Sequence, residues 1–212
     1  MNKAVHSRRN AIQQMFCAAA GIGLFPFAAS AENIHTMQEE KLVPFYIPPA
    51  APVQPGPGGM DIRTIIRSTQ TNQQFSCVEY AVAAKKMGPA PHYHKALDEL
   101  MYVLEGTATV MVGDVFYEIP AGGWHMRPRG LVHTFFNHTD KPFRAIDMYF
   151  NQDFENYLEE MFHHIIPDMQ QQKLTPKDPG IAKRMHDLHE KFGMVGFPEK
   201  RQAIIDKYGL TA

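Results

Sequence analysis

The sequence predicts a mainly β protein, a barrel or sandwich of short strands followed by a C-terminal helical extension. Three observations predict it. From Asp61 to Phe150, short apolar-rich runs are divided by glycine, proline and polar turns, the pattern of an all-β fold. Two of these runs are separated by Gly113-Asp114 alone, a two-residue hairpin signal. After Phe150 the apolar spacing lengthens from alternation to helical period.

In chain order, residues 1–31 read as an export signal rather than as part of the fold. Met1 to Asn10 is basic, Ala11 to Ser30 is small and moderately apolar, and Ala29-Ser30-Ala31 offers a small-x-small cleavage site. Ser7-Arg8-Arg9-Asn10-Ala11-Ile12 resembles the twin-arginine motif, with a plain Sec signal as the alternative. A periplasmic or otherwise exported location follows. Residues 32–60 form a proline-rich arm, Val43-Pro-Phe-Tyr-Ile-Pro-Pro at its centre, whose composition favours extended geometry over ladder or helix. It reads as a tether, or as a wrap around a neighbouring subunit through Phe45, Tyr46 and Ile47.

The barrel is expected over 61–150. Its candidate strands are Arg63–Arg67, Gln74–Ala83, Pro91–His94, Glu99–Leu104, Thr107–Val112, Val115–Ile119, His125–Arg127, Leu131–Asn137 and Arg144–Phe150. Gly106 ends the Glu99–Leu104 run where a tight turn is wanted. Over 151–212 three helical stripes follow. Phe154, Tyr157, Leu158, Met161, Phe162 and Ile165 make the first, closed by Pro167. Ile181, Met185, Leu188 and Phe192 make the second, ended by Gly193; Ala203, Ile204 and Tyr208 make the third, between Pro198 and Gly209. These helices are expected on the barrel's outside or across its mouth.

Composition bounds the rest. A hydrophobic fraction of 44% suits one core, and no apolar run after the signal reaches transmembrane length. A formal charge of −1 leaves no footprint for nucleic acid. Cys17 leaves with the signal, so Cys77 stands alone and reads as a buried, inert thiol.

Strand geometry brings out a candidate metal site. His92 and His94 lie two apart and share a face. The polar break Lys95 to Asp98 reverses the chain, after which Glu99, Met101 and Val103 face one way and Leu100, Tyr102 and Leu104 the other. Imidazoles with one carboxylate suit a divalent ion such as manganese, iron, cobalt, nickel, copper or zinc, and suit calcium poorly.

Two segments carry a family resemblance. The first is Gly88-Pro-Ala-Pro-His92-Tyr-His94-Lys-Ala-Leu-Asp-Glu99, running on to Gly106; the second holds Gly122, Pro128, Gly130, His133 and Asn137. Together they resemble the paired motifs of the cupin superfamily, with the overall pattern most similar to its quercetinase-like group. The second motif is matched in full. The first departs once, with three residues rather than five between Gly88 and His92, which weakens the role of Gly88. The resemblance implies a double-stranded β-helix (jelly roll), with His92, His94, Glu99 and His133 as ligands of one divalent ion. It also implies a homodimer through barrel edges.

Such a site keeps open positions for a substrate with adjacent oxygens, and Glu99, swung off the ion, is the candidate proton acceptor. The first reading is a dioxygenase-type oxidoreductase acting on a small phenolic or enol substrate. A non-catalytic binding or sensor protein and an isomerase or decarboxylase are the alternatives. Around the site, one of Trp124 and His125 must face the cavity, Phe135 shares a face with His133, and Tyr102 falls in an outer layer. Asp98 is expected in solvent, with a bond to a ligand imidazole as the alternative, and Asn137 is expected to secure a turn. His163, His164, His186 and His189 read as solvent-facing helix residues.

Overall fold

The strand alternation is realised as two antiparallel sheets that share one core. The computed structural model describes residues 41–212, so the signal over 1–31 and residues 32–40 of the arm lie outside the described residues. The strands are β1 (Met60–Ile66), β2 (Phe75–Val82), β3 (Lys86–Met87), β4 (His92–His94), β5 (Asp98–Glu105), β6 (Thr107–Val112), β7 (Val115–Pro120), β8 (Trp124–Arg127), β9 (His133–Asn137) and β10 (Phe143–Phe150). Helices α1 (Phe154–Glu160), α2 (Ile166–Gln172) and α3 (Pro179–Lys191) follow, then β11 (Met194–Gly196) and α4 (Arg201–Tyr208).

One sheet runs β1-β2-β10-β5-β8 and the other β11-β4-β9-β6-β7, with β3 beside β9. This is the expected jelly roll. Inward residues of the first sheet, Val78, Tyr80, Met101, Val103 and Ala145, meet Ala108, Val110 and Ile119 of the second in one buried cluster. The strict alternation of β10, which buries Phe143, Ala145, Asp147 and Tyr149, is the half-buried strand pattern read from the sequence. The hairpin at Gly113-Asp114 stands, with Val112 opposite Val115.

The helices divide between two places. Phe154 and Tyr157 of α1, Ile165 just before α2, Ile181 and Leu188 of α3, and Phe192 just after it join the barrel's interior cluster. Ile204 and Ile205 of α4 pack with Met87, Met111 and Phe136 on the outward side of the second sheet. Three expectations are corrected. Pro167 does not close the first helix, because a π-helical turn at Met161–Ile165 lies between α1 and α2. A wider turn ahead of proline absorbs the missing N–H and the ring clash that would otherwise break the ladder. In α4 the buried residues are Ile204 and Ile205 while Ala203 is exposed. Strands β3 and β11 were not anticipated, since two or three residues carry no readable period.

The arm is anchored where it meets β1 and β2. Val53 donates its N–H to Glu79 Oε1 at 3.2 Å, and Arg63 Nη1 donates to the Ala51 carbonyl at 2.8 Å. A proline-rich chain makes few internal hydrogen bonds, so its carbonyls are free to accept from the sheet. Phe45, Tyr46 and Ile47 remain exposed.

Candidate metal centre

The site bridges the two sheets. His92 and His94 come from β4 and His133 from β9, in the second sheet, and His92 stands directly opposite His133 in the register. Glu99 comes from β5 in the first sheet, paired with Arg127 on β8 and Tyr149 on β10. Parity holds as expected: Glu99, Met101 and Val103 are buried while Leu100, Tyr102 and Leu104 are half-buried on the outer face. Tyr102 stacks there on Trp124, ring centroids 4.5 Å apart.

Two glycines let the ligand strands take their places. A Cβ at Gly88 would sit 2.1 Å from the Phe135 carbonyl oxygen, so only glycine lets the chain pass β9 this closely. Its shifted spacing in the motif does not, after all, weaken its role. Gly106 turns β5 into β6 with φ +74°, where a Cβ would lie 2.7 Å from the Pro142 oxygen.

One potential ligand atom from each of His92, His94, Glu99 and His133 lies within 4.8 Å of the others, and all four residues are buried. Two donors on opposite sides of an ion bonded at about 2.1 Å stand about 4.2 Å apart, so a small contraction lets this set share one ion. The rings are already aimed. His92 Nδ1 is 2.8 Å from the Ala90 carbonyl and His133 Nδ1 is 2.9 Å from that of Leu131. Donation of Nδ1–H to those carbonyls leaves each Nε2 lone pair directed at the centre. His94 Nδ1 has no hydrogen-bond partner among the described residues, and the Nε2 atoms of His94 and His133 face only the Glu99 carboxylate. His94 Nε2 is 2.8 Å from Glu99 Oε1, and His133 Nε2 is 3.5 Å from Oε2. Buried imidazole nitrogens whose one neighbour is a shared carboxylate fit a divalent cation.

Electrostatics keeps two of the ligands, His92 and Glu99, in metal-binding form. Burial first, then the neighbouring His133 and His94, push the His92 imidazole down to about 3, so it stays neutral. Burial opposes ionisation of Glu99, but the Arg127 guanidinium, and then His133 and His94, hold its carboxyl well below the usual range. Phe154 of α1 stands edge-on to the His94 ring at 4.9 Å and closes that side.

Other sequence expectations resolve around this centre. On β8, His125 and Arg127 point inward while Trp124 and Met126 are exposed. His125, beside Tyr117 at 4.7 Å, is the half-buried end of an inward row leading to Glu99. Burial, then Arg127 and His133, push its imidazole down to about 4. Phe135 lies on the ligand face, 5.1 Å from the Tyr80 ring. Asp98 does not touch a ligand imidazole. It accepts from the Arg129 backbone N–H at 2.9 Å and pairs with its guanidinium, pinning the turn before β5 to the chain after β8. Asn137 secures its turn as expected, donating to the carbonyls of Ala83 at 2.9 Å and Lys141 at 2.8 Å. Cys77 is buried, and burial followed by Asp147 and Glu79 pushes its thiol up to about 12, an inert state. His163, His164 and His186 are exposed and His189 is half-buried.

Sequence reasoning missed a second set of polar residues beside the ligands. Arg127 is fully buried, with Nη2 3.0 Å from Glu99 Oε2 and 2.6 Å from Asp147 Oδ2. Tyr149 donates its hydroxyl to Asp147 Oδ2 at 3.3 Å, and the buried Tyr80 hydroxyl lies within electrostatic reach. Burial opposes charge on Arg127, yet Asp147 and Glu99 overcome it and keep the guanidinium protonated. Burial raises the Asp147 carboxyl in spite of Arg127's pull. A signal existed: Asp147 alternates with Phe143, Ala145 and Tyr149, an acid in the inward register of an amphipathic strand.

No curated protein matches the chain. Among solved structures, KdgF from Halomonas sp. shares 16% identity over 46% of this chain and 84% of its own, with a TM-score of 0.41. The polyketide cyclase RemF from Streptomyces resistomycificus shares 23% over 49% of this chain and 74% of its own, with a TM-score of 0.40. A cupin-superfamily sugar phosphate isomerase from Silicibacter pomeroyi shares 20% over 43% and 60%, with a TM-score of 0.38. Residues 78–149 match the cupin domain model, a span that contains all four candidate ligands and Arg127. The part of the jelly roll that runs from β2 to β10 is therefore similar to a cupin domain.

Proposed function

We propose that this protein is an exported, mononuclear metalloenzyme of the quercetinase-like kind, a dioxygenase acting on a small phenolic or enol substrate that chelates through oxygen. The observation that carries the reading is the convergence of His92, His94, Glu99 and His133 on one buried point. A redox-active divalent ion held by these four residues would supply acidity to a coordinating hydroxyl and reactivity toward dioxygen. The chain's own residues do the rest. His92 and His133, each tied by Nδ1 to a backbone carbonyl, hold their rings in fixed orientation. Glu99 is ionised because Arg127 faces it, so it stands ready to accept the hydroxyl proton. It is also a weak base for the same reason, and takes a proton only from a hydroxyl already made acidic. Phe154, Phe135 and the apolar interior exclude water from this exchange. The proposal includes a homodimer, with Trp124 and Met126 on the edge strand β8 standing 54% and 45% exposed as the available surface.

One observation favours a second reading, a metal-loaded binding or sensor protein. All four ligands are buried, His94 completely, as suits a site built to hold rather than to turn over. Elemental analysis of the protein from its native exported pool, with oxygen uptake on catechols and flavonols, decides between them. One equivalent of iron, copper, manganese or nickel with oxygen consumption supports the enzyme. Full metal loading with tight ligand binding and no product supports the binding protein. Turnover under strict anaerobiosis moves the assignment to an isomerase or decarboxylase.

A further inference from the structure

Beside the candidate ligands lies a group whose hydrogen-bonding capacity is not used. Arg127 is 0% exposed, and its guanidinium carries five N–H donors. Only Nη2 approaches acceptors, the carboxylates of Glu99 and Asp147 at 3.0 and 2.6 Å. Nε and Nη1 have no partner among the described residues, and the Tyr80 hydroxyl has Asp147 alone as a hydrogen-bonding neighbour. Phe135 covers one face of the guanidinium, 5.6 Å away. Buried donors are satisfied in almost every native protein, so these N–H groups face something that the chain itself does not supply.

Charge says what it is. Three neutral imidazoles, Glu99 and a divalent ion sum to one positive charge, and Arg127 and Asp147 cancel each other. A buried net charge is unfavourable until a counter-charge joins it. A neutral chelator leaves that charge in place and leaves the guanidinium N–H groups unmet. A carboxylate answers both, since its planar pair of oxygens matches the guanidinium.

We propose that Arg127, with Tyr80 beside it, receives a carboxylate of the chelating ligand, so that the centre takes a monoanionic small acid bearing its hydroxyl, oxo or enol oxygen next to the carboxylate. This deepens the metal-chelation reading above and rests on it. Glu99 and Arg127 are direct partners across β5 and β8, which puts the anion receptor one residue-width from the ligand cluster. A small acid with its two functions on adjacent carbons is the shortest ligand that carries both.

The test uses the full chain loaded with cobalt(II), followed by its visible spectrum, and needs no turnover. Glycolate and its neutral analogue glycolamide are the probes, equal in size and in chelating hydroxyl. Glycolate is expected to bind the unaltered protein at least about tenfold more tightly than glycolamide. In Arg127→Gln, compared per bound cobalt, that preference disappears. Tyr80→Phe removes one hydroxyl without changing shape; it is expected to weaken glycolate about three- to tenfold and to leave glycolamide within twofold. Its result decides the matter if Arg127→Gln does not fold. Equal binding of the two probes, or unchanged glycolate affinity in both variants, overturns the carboxylate receptor and leaves chelation standing. If neither probe perturbs the cobalt spectrum of the unaltered protein, the chelation reading falls together with it.

Discussion

Acidifying the metal-free protein should cost stability through His92, and the size of the loss follows from its surroundings. An unfolded histidine titrates near 6.5, whereas burial and the facing His133 and His94 push the folded imidazole down to about 3. A depressed histidine contributes stability that is fully present above the unfolded value and is lost as pH falls from there toward the folded one, because the unfolded chain takes up the proton first. Each pH unit in that window costs about 1.4 kcal/mol, so moving from about pH 6.5 to about pH 5 removes about 2 kcal/mol through this one side chain. Glu99 does not blur the result. Its depressed carboxyl loses stabilising power only below the ordinary carboxylate range, outside the window. His125 acts with the same sign, so the measurement compares two proteins. Urea unfolding of chelator-stripped wild type and His92→Gln at about pH 7 and about pH 5 should show the variant losing about 2 kcal/mol less. Equal losses in the two proteins would refute the idea that the cluster holds His92 neutral.

Further outcomes follow from the same geometry. His94→Ala should abolish stoichiometric metal while leaving the barrel's circular dichroism intact; a variant that still carries a full equivalent by elemental analysis removes His94 from the ligand set. Glu99→Gln should retain part of the metal yet lose proton transfer, read as a collapse of turnover larger than the loss of metal. Unchanged turnover per bound ion makes Glu99 purely structural. Gly88→Ala forces a Cβ to within 2.1 Å of the Phe135 oxygen, so the strands must separate. Strain of this kind costs about 1–3 kcal/mol, and a melting temperature equal to wild type contradicts the close approach.

The sequence showed more of the strands than of what joins them. Alternation along Glu99–Leu104 placed Glu99, Met101 and Val103 inward, and the structure keeps that parity because one face of β5 is core and the other is half-solvated. Strand ends moved by one to three residues where bridging hydrogen bonds, not side-chain pattern, set the limit; Leu131 and Val132 fall outside β9 for this reason. Convergence of the four ligands was not readable from spacing alone. Glu99 belongs to one sheet and the histidines to the other, and only the path of the whole jelly roll brings them together. That step came from the paired motifs. Arg127 and Asp147 were overlooked because charged side chains are ordinarily exposed; the inward register of Asp147 on β10 was the one local sign, and nothing local points to Arg127 as its partner. The short strand β11 lay beyond any periodic signal, yet it matters most for the site.

That strand makes the helical extension part of the metal centre rather than an appendage. Met194 and Gly196 sit opposite His94 and His92 in the ladder, and Lys95 donates its N–H to the Gly193 carbonyl at 2.9 Å. The ligand strand β4 touches β9 through a single paired position, His92 with His133, so β11 supplies most of its backbone partners. From the inner side, Phe154, Tyr157, Ile165, Ile181, Leu188 and Phe192 complete the barrel's own core. Burial of each such side chain contributes about 1.5–3 kcal/mol, and six of them amount to on the order of 10 kcal/mol, comparable with the whole stability of an ordinary domain. A chain ending at Phe150 should therefore fail to fold, as an expanded species with exposed apolar surface. Phe154→Ala, which opens the side of His94 while keeping β11, should stay folded, lose about 3–5 kcal/mol and hold its metal less tightly. A truncated barrel that is monodisperse, cooperatively folded and still binds one ion would show that the ligand strand stands without β11, and would return the extension to the outside of the molecule.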